Sequence, residues 1–567
     1  MIQRKMRQLS RLCVLLFISN AVAQSPWQTN NNPYAVSTYE NIGLYWTTAQ
    51  SGTCSVAYKI AKSKTWQKGL DLVFDARSKQ YRGSIINLLP ATTYEVKLST
   101  SASSTKLKVT TRSDSFPIGK TTTLPAGESS KAIVITESGT PEAYHLVTVP
   151  QGENSTIDAR NSFEHAIEID ADFVIVRGVE IRNTKIHGIR IKEKRHDIVI
   201  ENCHITFWGR MGGAISYGNT IGNYDSGIFA EDGTWNLTIQ RNLIDHPRGG
   251  SNDWETGHPA GPQGITIEQS NGGNVIRYND ILATEDHGFN DAIGGGSNYS
   301  NIGNMHRDSD IYGNLIRNVW DDAIEVEGSN MNIRVYNNYM HLFFAAIATA
   351  STTHGPIYIY RNVVGESRIG HENSNGGVFI KTGERDPYAG GRRYVFHNSI
   401  VQPQGVRDAF TGHSVSNIIS RNNIFDVPGR LASNKETVSD SDYDYDYFSG
   451  RNKGVAKEEN GINFYTTPSN TPLFIPSYKL EFYPKTTVNS IKWGRYPHQF
   501  GDKEVMITDP VIQLKSPLID GGVPIDGFND HYVGKGPDLG AFERGKPAIE
   551  FGRRAYLKYD EGWCPWE

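Results

Sequence analysis

The stretches "IYGNLIR" (Ile311–Arg317) and "VYNNYMH" (Val335–His341) share one pattern. Each is a short apolar-rich run, then an asparagine, then a second short run. The pattern recurs as "IVIENCHI" (198–205), "TIQRNLI" (238–244), "IRYNDIL" (276–282), "IYRNVVG" (359–365), "VFHNSIV" (395–401) and "SRNNIFD" (420–426). The asparagines fall at 202, 242, 279, 314, 338, 362, 398 and 423, at intervals of 40, 37, 35, 24, 24, 36 and 25. A period near 24 with insertions marks a stacked repeat. Strands this short cannot bury a face alone, but coils stacked ~4.8 Å apart can. Asn suits such a stack, because its amide can bond the Asn above and below and it tolerates left-handed turns.

A second strand follows in most repeats: "HGIRIK", "SGIFAE", "QGITIE", "DAIGGG", "DAIEVE", "AAIATA" and "GGVFIK". They align on Ile189, Ile228, Ile265, Ile293, Ile324, Ile347 and Val378. In that alignment Asp291 and Asp322 stack on neighbouring coils. Lys192, Glu231, Glu268, Glu327 and Lys381 form an outer column of mixed charge. Alternation of period two puts Glu325 and Glu327 outside, where the bland reading is a solvated face. It does not decide between Asp321 and Asp322, where the chain bends.

Composition agrees with a repeat. The chain has 567 residues, long for one compact domain but suited to a solenoid, and 56 glycines suit many turns. No long amphipathic helix is visible, so the expected class is all-β. Arg4, Lys5, Arg7 and Arg11 precede the apolar run Leu12–Ile18 and the small-x-small site Ala21-Val22-Ala23. This predicts a signal peptide over 1–23 and a secreted or periplasmic protein. No later stretch is apolar enough to span a membrane. The net charge of −4 comes without a basic stripe, which excludes nucleic acid as a partner. A monomer is expected. Besides Cys13, the cysteines are Cys54, Cys203 and Cys564, neither a disulfide framework nor a metal motif, with room for one disulfide.

Residues 28–112 differ from the rest. "NIGLYWTT", with Trp46, and "CSVAYKIA", with Tyr58, offer strands, and "LLPATTYEVKLSTS" gives turn residues followed by alternating Tyr94, Val96 and Leu98. This pattern resembles a fibronectin type III β-sandwich, in which Tyr94 would be the corner tyrosine whose hydroxyl bonds back to the chain. Its simplest role is a spacer. The repeat itself, over 118–545, resembles the right-handed parallel β-helix of the pectate-lyase and polygalacturonase superfold. Residues 546–567 are read as a tail. "PLIDGGVPIDGFNDHYVGKGPDLGAFERG" resembles the closing segment of such proteins, expected to cover the last coil.

Four carboxylates in "NVWDDAIEVEGSN" (Asn318–Asn330), with Asp291 one coil earlier, mark the candidate site. Long insertions cluster before this coil, and long loops on a rigid solenoid usually build its working face. They carry Trp254, His258, His371 and Arg385, expected to bind substrate together with Glu325 and Glu327. The resemblance extends to motifs. Asn290-Asp291, Asp321-Asp322, His354-Gly355 and Ile380-Lys381 fall in the order of the polygalacturonase signatures. Asn-x-Asp is shortened here, Thr353 replaces a glycine, and no Arg stands two before Lys381.

Glycoside hydrolysis needs an acid and a second carboxylate, and Asp291, Asp321 and Asp322 supply them. Eliminative cleavage of a uronate polymer needs a cation and a base. Acids on neighbouring coils could bind Ca²⁺, and Lys192, Lys381, Arg385, His287 or His371 could be the base. The first expectation is a polysaccharide-degrading glycoside hydrolase acting on an acidic or sulfated chain, with His287 and Lys381 beside the three aspartates. No cofactor is expected, unless Ca²⁺ serves a lyase. The alternatives are a lyase or uronate epimerase on the same fold, and a non-catalytic glycan-binding or adhesion protein.

Overall fold

The computed structural model describes residues 32–211, 223–254, 257–284, 287–295, 298–365, 367, 377–383, 387–401, 408–411, 415–427, 429–432, 440–450, 458–463, 480–484, 503–507 and 517–557. Among them there is no α-helix, and no helix long and apolar enough to cross a membrane. The protein is all-β. A small antiparallel domain precedes a right-handed parallel β-helix.

The antiparallel domain has seven strands, from Tyr34–Ser37 to Ser104–Thr110, lying in the spatial order 1-2-5-4-3-6-7. Alternation along Cys54–Ile60 and Thr93–Ser99 turns Val56, Tyr58, Tyr94, Val96 and Leu98 into a common core with Ile42 and Leu44. The Tyr94 hydroxyl accepts from Leu89 N at 2.9 Å. The domain is seated on the helix through buried polar contacts. Tyr45 Oη donates to Asp308 Oδ2 at 2.7 Å, Asn41 Nδ2 donates to Asp310 Oδ2 at 2.9 Å, and Tyr39 Oη lies 2.7 Å from Thr238 Oγ1. A free spacer would leave these groups in water.

The β-helix is made of three parallel sheets of 12, 13 and 11 strands, called here the first, second and third. Each coil adds one strand to each sheet, as in Thr238–Gln240, Leu243–Asp245 and Gln263–Ile267. Interior columns of aliphatic residues stack coil on coil. Ile189, Ile228, Ile265, Ile293, Ile324 and Ile347 pair in register on the third sheet, all fully buried. The next partner is Ile380, with Val378 opposite Ala345. The alignment on Val378 is therefore two residues early. "GGVFIK" offers two apolar positions of the same parity, and periodicity alone cannot choose between them.

The asparagine row occupies the corner between the first and second sheets. Nδ2 of Asn242, Asn279, Asn314, Asn338, Asn362 and Asn398 each donates to Oδ1 of the next member, ending at Asn423, at 2.9–3.0 Å. Each amide also closes backbone bonds, as when Asn279 N donates to Asn314 Oδ1 and Asn314 Nδ2 donates to Ile276 O, both at 3.0 Å. Asn202 is not in this row. Cys203 stands in its place, and Cys203 N donates to Asn242 Oδ1 at 2.9 Å. The left-handed residue is the one before the ladder position: Asn202 (φ 53°), Arg241 (56°), Tyr278 (53°), Asn337 (52°), Arg361 (52°) and His397 (54°). Turn and ladder are thus separate tasks on adjacent residues.

The segment 517–557 does not cap the last coil. It runs along the ladder corner across several coils. Gly540 N donates to Asn422 O at 2.7 Å, Ala541 N to Ser399 Oγ at 2.9 Å and Gly552 N to Gly313 O at 2.7 Å, and Arg553 Nε meets Asp280 Oδ2 at 3.0 Å. The reason is the turn itself, which leaves outward polar groups at each corner that need partners. Cys54 and Cys203 are buried free thiols, each pushed up to about 12 by burial, and Cys564 lies outside the described residues.

Candidate active site

The outer face of the third sheet carries the acids. Ile324 and Val326 enter the core, so Glu325 and Glu327 point away from it, as alternation demands. They are not solvated, however. Glu325 is 6 % exposed and Glu327 0 %. Asp291, Asp321 and Asp322 are buried with them. The expectation of a solvated face is corrected here. Alternation reports side-chain direction, not what the insertions lay over that side chain.

The carboxylates converge. One oxygen from each of Asp291, Asp321 and Asp322 lies within 4.8 Å of the others, and the same holds for Asp322, Glu325 and Glu327. Asp322 belongs to both groups. The first coil of the site is fixed by Gln263 and Asn290, whose amides donate to Asp291 Oδ2 at 2.8 and 3.1 Å. Asp322 N donates to Asp291 Oδ1 at 3.1 Å, which locks neighbouring coils together. Gly295 N holds Glu325 Oε2 at 3.1 Å, and Ala350 N holds Glu327 Oε1 at 3.2 Å.

Lys381 approaches from two coils further on. Its Nζ donates to Asp322 Oδ2 at 2.5 Å and lies 3.2 Å from Glu327 Oε1. Register explains the reach. Lys381 is in line with Ala348, and Ala348 with Glu325. On the intervening coil Ala345 is in line with Asp322 and Ala348 with Glu325 and Lys381, and such short side chains leave a lysine stem room to pass.

Electrostatics follow from this crowding. Burial, then the Asp322 charge, pushes the Asp291 carboxyl up to about 8. Asp321 is raised well above the ordinary range by burial and Asp322. Glu325 is raised likewise by burial and Glu327. Glu327 rises by burial, with Lys381 opposing. Burial disfavours the charge on Lys381, but Asp322 and Glu327 overcome it and hold the ammonium well above its usual value. Glu268, just past a strand of this sheet, is pushed up to about 7 by burial and Asp232.

Three buried oxygens in this group, Asp321 Oδ1, Asp322 Oδ1 and Glu327 Oε2, have no hydrogen-bond partner among the described residues. A buried carboxylate oxygen left so is costly unless a cation or proton meets it. An all-oxygen set of acidic ligands from rigid strands suits a hard divalent cation, Ca²⁺ before Mg²⁺, because Ca²⁺ accepts more oxygens at looser geometry. Asp291, Asp321 and Asp322, or Asp322, Glu325 and Glu327, are the residues that could hold it.

At the rim, His258 Nε2 lies 3.8 Å from Asp321 Oδ2 and remains 43 % exposed. Trp254 packs on His258 at 4.5 Å and on Phe344 at 4.9 Å between ring centroids. Trp254 and His258 thus border the acids, as their loop suggested. His287 does not join them. Its Nδ1 lies 2.9 Å from Pro247 O, and its ring meets Phe207 and His246 at 5.7 and 5.9 Å. Lys192 is likewise elsewhere, 3.8 Å from Glu231. His354 faces the antiparallel domain: Arg82 Nη2 donates to its carbonyl at 3.2 Å, and its Nδ1 meets Ser329 Oγ. The His-Gly motif therefore has no part in the acid group. His371 and Arg385 lie outside the described residues. Sequence reasoning named Asn290 only as part of a motif, and did not select Gln263, Phe344 or the alanine pair. Gln263 stands in the same alignment column as Asp291 and Asp322, which was the available signal.

No family model and no curated protein matches the chain. Among solved structures it is similar to the pectate lyase Pel9A, with 14% identity, 77% of this chain and 92% of that one covered, and a TM-score of 0.33. It is also similar to the family 28 exopolygalacturonase of Yersinia enterocolitica (12% identity, 76% and 98% covered, TM-score 0.27). A third likeness is to the catalytic domain of a GH87 α-1,3-glucanase (12%, 76% and 90%, TM-score 0.28). Likeness at this level carries no information on reaction or substrate.

Proposed function

We propose that this protein is a carbohydrate-active enzyme that cleaves a uronate-containing polysaccharide by β-elimination. The observation that carries this reading is the convergence of Asp291, Asp321 and Asp322 on one point, with buried oxygens unmet, beside Lys381. A hydrolytic pair must flank the scissile bond, at about 5–5.5 Å for retention or about 6.5–9.5 Å for inversion. One oxygen from each of Asp291, Asp321 and Asp322 lies within 4.8 Å of the others, a spacing that suits ligands of one shared cation.

Ca²⁺ held by Asp291, Asp321 and Asp322 would neutralise the substrate carboxylate and acidify the proton on the carbon beside it. Lys381 takes that proton. The carbon–hydrogen electron pair becomes a carbon–carbon double bond, and the glycosidic oxygen on the next carbon leaves with its electron pair and takes a proton from water, while the proton on Lys381 returns to solvent. Asp322 and Glu327 hold the Lys381 proton in the free site, so Lys381 serves as a base only when their charge is offset. Trp254 and Phe344 offer ring faces to a sugar at the rim. Secretion, read from residues 1–23, would give such an enzyme access to its polymer.

A second reading keeps glycoside hydrolysis, with Asp291 as the acid. It is favoured by one observation, the Asp291 carboxyl at about 8, which holds a proton at neutrality. One assay separates the two. The purified chain is incubated with pectate, alginate, glycosaminoglycans and sulfated polymers, with and without EDTA. Ultraviolet absorbance from a new double bond that rises with reducing ends and stops with EDTA is the expected result. Reducing ends without absorbance would replace elimination by hydrolysis.

A further inference from the structure

The antiparallel domain carries a cationic face. Along its third and sixth strands, Cys54–Ile60 and Thr93–Ser99, Val56, Tyr58, Val96 and Leu98 enter the core, so Ala57, Lys59, Glu95 and Lys97 turn outward. Register adds two lysines from the seventh strand, Ser104–Thr110. Lys97 is opposite Lys106, and Glu95 lies between Lys59 and Lys108. The connection from Ile60 to Gln67 contributes Lys62 and Lys64, both exposed. Glu95 is the one carboxylate in these three strands and that connection, and Lys59 Nζ meets its Oε2 at 3.0 Å. Lys97, Lys106 and Lys108 are exposed, and among the described residues no carboxylate lies within 4.0 Å of them. The face ends beyond Ala57, where Lys68 is balanced by Asp71.

An aromatic ring stands among these cations. Trp66 is 38 % exposed, with Lys59 Nζ 5.3 Å and Lys106 Nζ 5.9 Å from its ring centroid. Lys59 Nζ also donates to Ala61 O at 3.2 Å and to Ser63 O at 3.0 Å, which pins the connection that carries the ring. Protection of a sheet edge accounts for lysines on the seventh strand, which ends the sheet. It does not account for Lys97, on an inner strand and directly opposite Lys106, where like charges cost stability. Nor does it account for an exposed indole beside them.

We propose that this face is a non-catalytic attachment site for a uronate polysaccharide, the polymer cleaved at the carboxylate centre. The choice of polymer rests on the reading above; the need for a polyanion rests on the unpaired lysines. Positions along and across these strands are spaced on the order of 5–7 Å, so Lys97, Lys106 and Lys108 offer repeated charges to a chain with carboxylates at regular intervals. Trp66 offers an apolar ring to a sugar. Each contact is weak and screened by salt, and several together retain a polymer. The domain is seated on the first sheet through Asp308 and Asp310, and the acids stand on the third, so attachment and cleavage use separate surfaces.

The test is affinity electrophoresis of the full chain through native gels containing pectate, polyglutamate or dextran. EDTA is present throughout, so no cation bridges the polymer to the carboxylate centre. Pectate should retard the parent most, polyglutamate less and dextran not at all, and added salt should abolish the retardation. Joint Lys97→Gln, Lys106→Gln and Lys108→Gln should weaken retention on pectate by about tenfold. Trp66→Ala should weaken it by about threefold and erase the preference for pectate over polyglutamate. All four residues are exposed, so these variants keep the core intact. Joint Lys535→Gln and Lys546→Gln, at exposed lysines elsewhere, should change nothing. Retention of the triple variant equal to the parent's, or no retention of the parent, overturns the inference. Polyglutamate as effective as pectate overturns its saccharide part. Lysine-dependent retention in a chain that forms no double bond with Ca²⁺ present upholds the face and removes the lyase reading. Double-bond formation without such retention removes the face and keeps that reading.

Discussion

The asparagine row at the corner and the acidic group on the third sheet are both buried, both polar and both built from residues stacked on successive coils. They differ in how their hydrogen bonds close. In the row, each amide oxygen from Asn279 to Asn423 receives a backbone N–H and a side-chain N–H from the coil before, and Nδ2 finds two acceptors, as at Asn314. In the acidic group, Asp321 Oδ1, Asp322 Oδ1 and Glu327 Oε2 are left over, and carboxyl pKa values rise. A satisfied buried network stabilises the fold; an unsatisfied one stores electrostatic free energy for something the fold does not contain.

Substitutions should separate the two rows cleanly. The largest effect belongs to Lys381→Ala, which should lower turnover per folded molecule by about 10³-fold in the double-bond assay, and should also lower the thermal midpoint because Asp322 and Glu327 lose their counter-charge. Asp322→Asn should match it in activity, since Asp322 is shared by both carboxylate groups. The converse is expected at the corner. Asn338→Ala removes the acceptor of Asn314 N and Nδ2 and a donor to Asn362 Oδ1, and should destabilise by about 3 kcal/mol in chemical denaturation, with turnover per folded molecule preserved.

The pH dependence should also divide them. Asp291 has a folded-state pKa of about 8 against an ordinary 3.8, so the folded chain binds more protons than the unfolded chain between these values. That stability is complete below the lower value, falls as pH rises, and is lost once pH passes about 8. Midpoints of metal-stripped protein should fall over this window, and Ca²⁺ should restore them at the upper end. Asp291→Asn should flatten the profile and cancel the Ca²⁺ effect. The smallest effect is expected at the end of the row. There Asp446 Oδ1 accepts from Asn423 N and Nδ2, both at 2.8 Å. An asparagine preserves both bonds. Asp446→Asn should change stability by only about 0.5 kcal/mol at low pH. Burial pushes Asp446 up to about 7, so the variant should gain on its parent as pH rises through that value.

Much of the fold was legible because its signals are periodic. The spacing of the asparagines and the aliphatic anchors up to Ile347 carry the coil register directly. What failed was what period cannot encode. Val378 and Ile380 share parity, so the last register slipped by two. The position of segment 517–557 depends on outward groups of the corner turns, which no local pattern announces. In the site, Asp291, Asp321, Asp322 and Lys381 could be named from the alignment. The burial of Glu325 and Glu327 could not, nor the reach of Lys381 to Asp322 and Glu327. Both depend on neighbours far apart in the chain. His287 was drawn in by residue type and His354 by the resemblance to a motif, and their positions face other elements.

The most direct test of the contrast is calorimetric titration of metal-stripped protein with Ca²⁺ at pH 7, in two buffers of different ionisation enthalpy. The unsatisfied carboxylates predict binding with proton release in the parent, and loss of binding in Asp322→Asn while Asn338→Ala keeps it. Absence of Ca²⁺ binding by the folded parent would contradict the account, leaving the acids as a proton-sharing group and returning Asp291 to the role of hydrolytic acid.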